Sequence, residues 1–450
     1  MNSGTPFRNF VLPPVSSFLL RNGLKLYAVP LPDLPLVSIH LIVPCGAEAD
    51  PAGRAGLADL SAEMLTLGTR KRSAFQLAAE MDGLGALFSG YAGWNVSSLQ
   101  ISGLSEDLER LQQLLLEIYA EPAHSPEEFE QLKQRRIGQL VQQKDESQII
   151  ADERFQQMLF QGTPYDHPTY GTLESLPKLT IEDVKEFYRG SFLTPGSFLV
   201  FVGDLSVNGV SRWVEGNFPS VGGKKPEIRT FSPSSPRGIR TRIVDRQDLT
   251  QSQIRLGHIG IPFAHPGYIP FEVMNYILGG GGFSSRLMQK IRSELGYTYG
   301  IQSFLEPRKF PGPFTISTFT PTDITFSCVQ EIGSLLRSFL EQGATAQERD
   351  EAVNFFTGSY PRRFETLSQI AQRIIQVELH GVGVEYLSSY PQRIAGVSLE
   401  EISRIAREHL HPQDLLAVIV GRAEIFQRAF ESLGPVEVCS EPEGSLHQNP

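Results

Sequence analysis

One order of predicted secondary structure occurs twice along this chain of 450 residues. Each copy has a strand, two helices, further strands and two more helices, recognised from alternating or helical spacing of apolar residues. The first copy covers 36–46, 53–69, 73–85, 87–104, 105–121 and 125–144, and the second covers 251–262, 266–278, 284–296, 297–306, 312–320, 323–343 and 345–360. This repetition predicts an α+β fold with two similar domains, each an antiparallel sheet with helices packed on one face.

The predicted domains are divided near the middle of the chain. A chain of this length is too long for one ordinary hydrophobic core. Residues 221–238 are rich in Gly, Pro and Ser and lack any apolar period, which is typical of a linker. We therefore predict an N-terminal domain at 1–220, a linker at 221–238 and a C-terminal domain at 239–450. The N-terminal domain begins with a hairpin at 16–31 that turns at Asn22-Gly23.

Composition excludes several classes of protein. The net charge of −10 disfavours a nucleic-acid partner. Cys45, Cys328 and Cys439 lie far apart and indicate reduced thiols rather than a disulfide framework. No apolar run is long enough to span a membrane, and the first residues do not resemble a signal peptide. The expectation is a cytoplasmic protein with no nucleic-acid or membrane partner.

The most informative stretch, GGGGFSSRLMQKIRSELGYTYG, begins with Gly279, Gly280, Gly281 and Gly282. A phosphate-binding P-loop would need Gly-Lys-Ser/Thr after the glycines, and a dinucleotide site would need a strand directly before them. Neither is present, because Phe-Ser-Ser follows and a helical pattern precedes. The glycines are predicted to join two helices. They either form a flexible loop or present backbone N–H and C=O groups to an extended peptide.

The second of these helices contains two polar side chains of interest. Its predicted N-cap is Ser284 or Ser285, and Gly296 is predicted to end it in a left-handed conformation. Arg292 lies in the last turn, where a cation offsets the helix dipole. Tyr299 lies on the predicted following strand, where aromatic residues are common. Neither position requires a functional explanation by itself.

This stretch resembles the second-half signature of the pitrilysin/insulinase-type zinc peptidases, which include mitochondrial processing peptidase. The segments 53–90 and 165–204 are similar to other parts of that family, and the resemblance extends over about 18–421. It implies a duplicated fold in which an Arg and a Tyr bind the main chain of a peptide substrate near zinc. The matching residues here are Arg292 and Tyr299, with the glycines at 279–282 facing the substrate.

The chain departs from that family at the zinc site. The family motif is His-x-x-Glu-His, whose His residues bind zinc and whose Glu activates water. Asp59 and Glu63 stand at the two His positions, and Ala62 stands at the Glu position. The segment 131–144, which corresponds to the helix carrying the last family ligand, has no acidic residue. We therefore expect no metal or other cofactor in this chain.

The remaining candidate ligands do not restore such a site. Asp59 and Glu63 share a helix face and could form only a weak oxygen site for Ca²⁺ or Mg²⁺; otherwise they are solvated helix charges. His409 and His411 are predicted to point to different faces, and His167 matches a structural position of the family. The chain alone is therefore not expected to hydrolyse peptides.

The resemblance implies three functional hypotheses. The first is a non-catalytic, substrate-binding subunit of a heterodimeric zinc metalloendopeptidase, whose partner carries zinc and to which this chain contributes Arg292 and Tyr299. The second is an inactive scaffold or peptide-binding homologue, similar to the core subunits of respiratory complexes. The third is a homodimeric enzyme with an unrecognised site.

Overall fold

Two six-stranded sheets, each packed with helices, form the protein. The computed structural model describes residues 11–191, 194–222, 231, 233 and 237–440. Most of the predicted linker at 221–238 lies outside the described residues. Two compact units are present, and neither is continuous along the chain: one contains Met1–Gln142, His167–Thr230 and Gly358–Tyr390, the other Gln143–Asp166, Phe231–Thr357 and Pro391–Pro450.

The strands and helices are numbered in chain order. The strands are β1 Ser16–Leu19, β2 Lys25–Pro30, β3 Leu36–Val43, β4 Leu87–Ala92, β5 Ser97–Leu104, β6 Phe198–Gly203, β7 Arg240–Asp245, β8 Gln251–Ile259, β9 Ile301–Leu305, β10 Pro313–Pro321, β11 Leu416–Gly421 and β12 Val436–Ser440. The helices are α1 Leu57–Met64, α2 Ala74–Gly83, α3 Leu108–Ala120, α4 Pro126–Gln143, α5 Ser147–Leu159, α6 Ile181–Ser191, α7 Val207–Asn217, α8 Tyr268–Asn275, α9 Thr325–Gln342, α10 Ala346–Ser359, α11 Leu367–Leu379, α12 Glu385–Ala395, α13 Leu399–His409 and α14 Ala423–Phe430.

The strand orders of the two sheets demonstrate the duplication. The first sheet has the order β1-β2-β6-β3-β5-β4, and the second has β12-β7-β11-β8-β10-β9. The last five strands of the two orders therefore correspond one to one, while the first strand of the order is the N-terminal β1 in one sheet and the C-terminal β12 in the other. The predicted α+β class with two similar sheet-and-helix domains is confirmed.

The structure adds a feature that the sequence prediction of antiparallel sheets did not contain, because both sheets are mixed. Strands β2 and β6 run parallel, as do β7 and β11, and β12 is parallel to β7. The other pairings are antiparallel. A parallel pair needs a long crossover connection between its two strands. The chain passes through α1 to α6 between β2 and β6, and through α8 to α13 between β7 and β11.

Each face of the first sheet has a different cover. Ile39 and Phe201 point to the main core, where they pack with Leu114 of α3 and Val214 of α7. Alternate residues of the same strands point to the opposite face. That face is covered by α11, which comes from the second half of the sequence and packs on β6 and β3. Helices therefore lie on both faces of this sheet rather than on one.

The second sheet has the corresponding arrangement with a helix from the first half, α5, which packs on β11 and β8. Polar anchors attach both of these helices to their sheets. Glu378 of α11 accepts hydrogen bonds from the Tyr27 hydroxyl and from Lys25 Nζ, the latter at 2.9 Å. Asp152 of α5 pairs with Arg255 of β8, whose exposed fraction is 1%.

Local signals placed most helices of the first half close to their observed bounds. Ser125 caps α4, because its hydroxyl accepts a hydrogen bond from Glu128 N at 3.4 Å. Ser105 does not cap α3 in the same way, since its hydroxyl donates to Asp204 Oδ2 at 3.0 Å. Within the part of the chain that the structure describes, no helix is long and apolar enough to cross a membrane.

Candidate functional site

The positions of the degenerate zinc motif are held by ion pairs between α1 and α4. Asp59 and Glu63 lie one turn apart on the same face of α1. The Nη2 atom of Arg136 lies 2.7 Å from Asp59 Oδ2 and 2.7 Å from Glu63 Oε2. The Nη2 atom of Arg135 lies 2.9 Å from Glu63 Oε1. In the family, the helix corresponding to α4 carries a ligand carboxylate. Here α4 instead supplies two guanidinium groups, which neutralise the carboxylates of Asp59 and Glu63.

These carboxylates are not solvated helix charges, so that interpretation is wrong. The exposed fraction of the side chain is 13% for Asp59, 28% for Glu63 and 20% for Arg136. Burial raises the pKa of the Asp59 carboxyl, while Arg136 and the backbone N–H of Ala92 act in the opposite direction. The cluster is a partly buried ionic link between two helices.

The general-base position is enclosed by apolar groups. Ala62 has an exposed fraction of 1% and packs with Ala58, Ala92 and the partly buried Phe187. A Glu side chain at this position would have to displace these neighbours and bury a charge. The residues present therefore do not fit a catalytic zinc ion, since cationic side chains already occupy the polar contacts of Asp59 and Glu63.

Four of the histidines pack as two pairs of neighbouring rings. The rings of His409 and His265 are 5.0 Å apart between centroids, and those of His411 and His258 are 5.1 Å apart. His409 and His411 thus point to different neighbours, as their spacing predicted. His167 packs against Trp94. Among the described residues, no group of three or more His, Cys, Asp and Glu side chains is arranged to hold a metal ion.

The ionic cluster gives a prediction about metal binding. The variant D59H/A62E/E63H restores the family motif, yet we expect it to hold no zinc after dialysis because the Arg136 guanidinium stays beside both ligand positions. The variant D59H/E63H/R136E offers two imidazoles and a carboxylate instead, and we expect it to gain zinc. Elemental analysis of both proteins, with circular dichroism to verify folding, measures the difference. Stoichiometric zinc in the first variant would contradict this interpretation.

The glycine stretch joins two helical segments, and both contain π-helical turns. Residues Tyr276–Gly280 continue α8 as a π-helix, and Met288–Glu294 form a second π-helix. Such turns occur frequently at functional sites. Gly279 is buried, and a Cβ atom there would lie 2.5 Å from Ser303 Oγ. Gly282 has φ +60° and faces open space, so the four glycines combine close packing with an exposed turn.

The residues around the second π-helix differ from two predictions. Neither Ser284 nor Ser285 caps the helix, because their hydroxyls donate backwards to the carbonyl oxygens of Gly281 and Gly282, at 2.9 and 2.7 Å. The prediction for Gly296 is confirmed, since it follows the helix with φ +68°. Tyr299 precedes β9, so the prediction that it lies on a strand is wrong.

Arg292 and Tyr299 line one cleft in the second unit. The cleft has a volume of about 390 Å³, and its other lining residues include Gln251, Tyr297 and Phe319. Tyr299 is 81% exposed. The guanidinium of Arg292 stacks over the ring of Phe283, at 4.6 Å from the ring centroid. The structure thus brings the predicted Arg and Tyr together and holds the guanidinium against an aromatic ring of the glycine stretch.

Sequence reasoning missed Arg135, Arg136 and Phe283. The signal for the two arginines was present, because an Arg-Arg pair occupies the helix that carries the last carboxylate ligand in the family. Their partners could not be named because Asp59 and Glu63 lie more than 70 residues away in the chain. Phe283 had no signal beyond being a large apolar residue in a polar turn.

Comparison with protein families agrees with this architecture. The insulinase family (peptidase family M16) matches residues 31–173. The domain described as the peptidase M16 inactive domain matches residues 178–356. Together these two matches cover most of the chain, and the family name applies to both.

Individual relatives extend over nearly the same length. The Helicobacter pylori protein named non-peptidase homolog YmxG is 26% identical over 396 residues, which are 86% of this chain and 89% of that protein. An uncharacterized zinc protease of Rickettsia bellii is 26% identical over 323 residues, 72% of this chain and 77% of that protein. These matches cover both halves of the duplication.

Solved structures share the fold. A peptidase M16 inactive domain from Pseudomonas fluorescens superposes with a TM-score of 0.84 at 24% identity, covering 91% of this chain and 98% of that one. A protease from Helicobacter pylori gives a TM-score of 0.83 at 19% identity, covering 91% of this chain and 100% of that one. From both family matches and the shared fold, this chain belongs to the insulinase-type peptidase family M16.

Proposed function

We propose that this chain is the non-catalytic, substrate-binding subunit of a heterodimeric zinc metalloendopeptidase. The observation that carries this proposal is the contrast between two sites. Arg292 and Tyr299 line one open cleft. Asp59 and Glu63, in contrast, form ion pairs with Arg136, and Glu63 also pairs with Arg135. A chain that needed only to pack against a partner would require neither the Arg292 guanidinium nor the Tyr299 hydroxyl in the cleft. The zinc of the complex would belong to a partner chain of similar size that carries His-x-x-Glu-His.

The role of this chain is to bind and orient the peptide. The Arg292 guanidinium and the Tyr299 hydroxyl are hydrogen-bond donors that can hold a peptide carbonyl and stabilise the negative charge that develops on its oxygen. We place the glycine loop of Gly279, Gly280, Gly281 and Gly282 beside the same peptide. The extended substrate would pair with a sheet edge of the partner chain.

The second candidate is an inactive scaffold or peptide-binding homologue. It is favoured by the name of the Helicobacter pylori relative, a non-peptidase homolog. Both candidates agree that this chain alone does not hydrolyse peptides. They differ in whether Arg292 and Tyr299 affect hydrolysis by a partner.

Hydrolysis of a quenched peptide by the mixed chains tests the proposal. We expect Arg292→Ala to lower kcat/KM of the mixture about 100-fold, the size of effect seen when a donor to the developing oxyanion is removed, and Tyr299→Phe to lower it less. Arg404→Ala is the matched control, because Arg404 pairs with Glu408 on the surface of α13. Partners are sought among chains of similar length that carry the zinc motif. Activity that neither cleft variant changes would leave the scaffold as the answer.

A further inference from the structure

The cleft of Arg292 and Tyr299 is rich in hydrogen-bond donors and carries a positive charge. Arg292 is the charged residue among those that line it, and none of the lining residues is acidic. The Tyr299 and Tyr297 hydroxyls and the amide of Gln251 add neutral groups that can donate, and the ring of Phe319 adds an apolar surface. A ligand that complements these groups has hydrogen-bond acceptors, a negative charge and some apolar surface.

The Arg292 guanidinium differs from the other basic groups on the same segment. Arg286 forms an ion pair with Glu348 at 2.6 Å, and Lys290 forms one with Glu294 at 2.8 Å. For Arg292 the contact found among the described residues is the stack on Phe283. Stacking occupies one face of the planar guanidinium and leaves the N–H groups along its edge available in a fixed orientation.

We propose that this cleft takes a carboxylate of the bound peptide, held by two parallel N–H groups of Arg292, while the other N–H groups of that guanidinium and the Tyr299 hydroxyl stay available to the peptide carbonyl. The proposal rests on the proposed peptide-binding function and names the chemical group that the site prefers. A carboxylate offers two oxygens to the parallel N–H groups of a guanidinium, whereas a peptide carbonyl offers one, so the paired geometry favours the carboxylate. The volume of about 390 Å³ lies within the usual range of a small-molecule pocket, which is roughly 300–1,000 Å³.

The carboxylate can come from the C-terminus of the peptide or from an Asp or Glu side chain. Both present the same group to Arg292. Phe283 acts as a positioning residue in either case, because its ring holds the guanidinium while remaining 69% exposed. Replacement by Leu keeps an apolar side chain but removes the cation–π contact, so Phe283→Leu should weaken carboxylate binding without affecting uncharged peptides.

Fluorescence anisotropy with four labelled peptides derived from one parent sequence tests the proposal on the full chain. One peptide has a free C-terminus and no acidic residue, the second is its C-terminal amide, the third is the amide with one internal Asp, and the fourth is the amide with Asn in its place. We expect the free acid, the internal Asp or both to bind about tenfold tighter than the uncharged counterpart, as one charged hydrogen-bonded contact allows. Tighter binding of the free acid than of its amide identifies the C-terminus as the source of the carboxylate, and tighter binding of the Asp peptide than of the Asn peptide identifies the side chain.

Variants assign that gain to Arg292. In Arg292→Gln the tenfold preference should disappear, and in Phe283→Leu it should shrink. Lys290→Gln removes the same charge from the same helical segment outside the cleft lining and should keep the preference. Equal binding of all four peptides would overturn the carboxylate assignment while leaving peptide binding intact. No binding of any peptide would overturn both this inference and the proposed function.

Discussion

Arg136→Ala is expected to lower the free energy of unfolding of the first unit by about 3 kcal/mol, the usual cost of leaving a buried charge without its partner. The Arg136 guanidinium is the group that contacts both Asp59 and Glu63. Without it, Asp59 remains partly buried, at 13% exposure, and its charge is offset by the hydrogen bond from the Ala92 N–H at 3.4 Å. Part of the cost is relieved when Asp59 takes up a proton.

Tryptophan fluorescence during urea unfolding measures this effect selectively. The chain has two tryptophans, Trp94 and Trp213, and both lie in the unit that contains α1 and α4. Arg135→Ala is the matched control: the Arg135 side chain is 53% exposed and its ion pair among the described residues is with Glu63, so the expected loss is below about 1 kcal/mol. Equal losses from the two substitutions would show that Arg136 does not have the special role assigned to it.

The sequence was sufficient to predict the fold class and the duplication, because both depend on local periodicity repeated in the same order. The packing of α5 and α11 could not be predicted in this way. The helices α5 and α11 each pack on the sheet formed mainly by the other half of the sequence. Their anchors, Asp152 with Arg255 and Glu378 with Lys25, join residues that are 103 and 353 positions apart. No local pattern encodes such pairs.

The candidate site was predictable to a similar extent. The identities of Asp59, Ala62 and Glu63 at the motif positions already indicated that zinc chemistry was lost. What replaces the metal was not apparent, since it requires knowing that α4 places Arg136 against α1. The turn before Arg292 was predicted incorrectly for a local reason. A Ser hydroxyl can donate to a preceding carbonyl as readily as it can accept from a helix N–H, and Ser284 and Ser285 both donate.

Acidification from about pH 6.5 to about pH 4.5 is expected to lower the free energy of unfolding by about 4 kcal/mol. Burial lowers the pKa of four histidines to about 4, namely His40, His124, His258 and His380. In the unfolded chain these residues take up protons near pH 6.5, so the unfolded state binds more protons as the pH falls. The stability they contribute is fully present above that pH and is lost as the pH falls towards 4.

Two partly buried carboxyl groups act in the opposite direction over this range. Burial raises the pKa of Asp50 to about 8, although the N–H groups of Gly56 and Ala58 oppose that shift, and burial also raises the pKa of Asp59. Both carboxyl groups bind protons more readily in the folded state than in the unfolded state. Through them, acidification raises the free energy of unfolding. Burial also lowers the pKa of His265 and of His409, so six histidines oppose two carboxyls and the net effect is a loss of stability.

His258 provides the sharpest test of this account. Its Nδ1 lies 2.9 Å from the Ile259 carbonyl oxygen, and its Nε2 accepts a hydrogen bond from His411 N at 3.3 Å. The neutral ring satisfies both contacts, and a proton on Nε2 would oppose the His411 N–H. His258→Gln should therefore flatten the dependence of stability on pH by about one proton, whatever it costs at neutral pH. Urea unfolding followed by circular dichroism at several pH values measures that slope, and an unchanged slope would mean that His258 titrates normally in the folded protein.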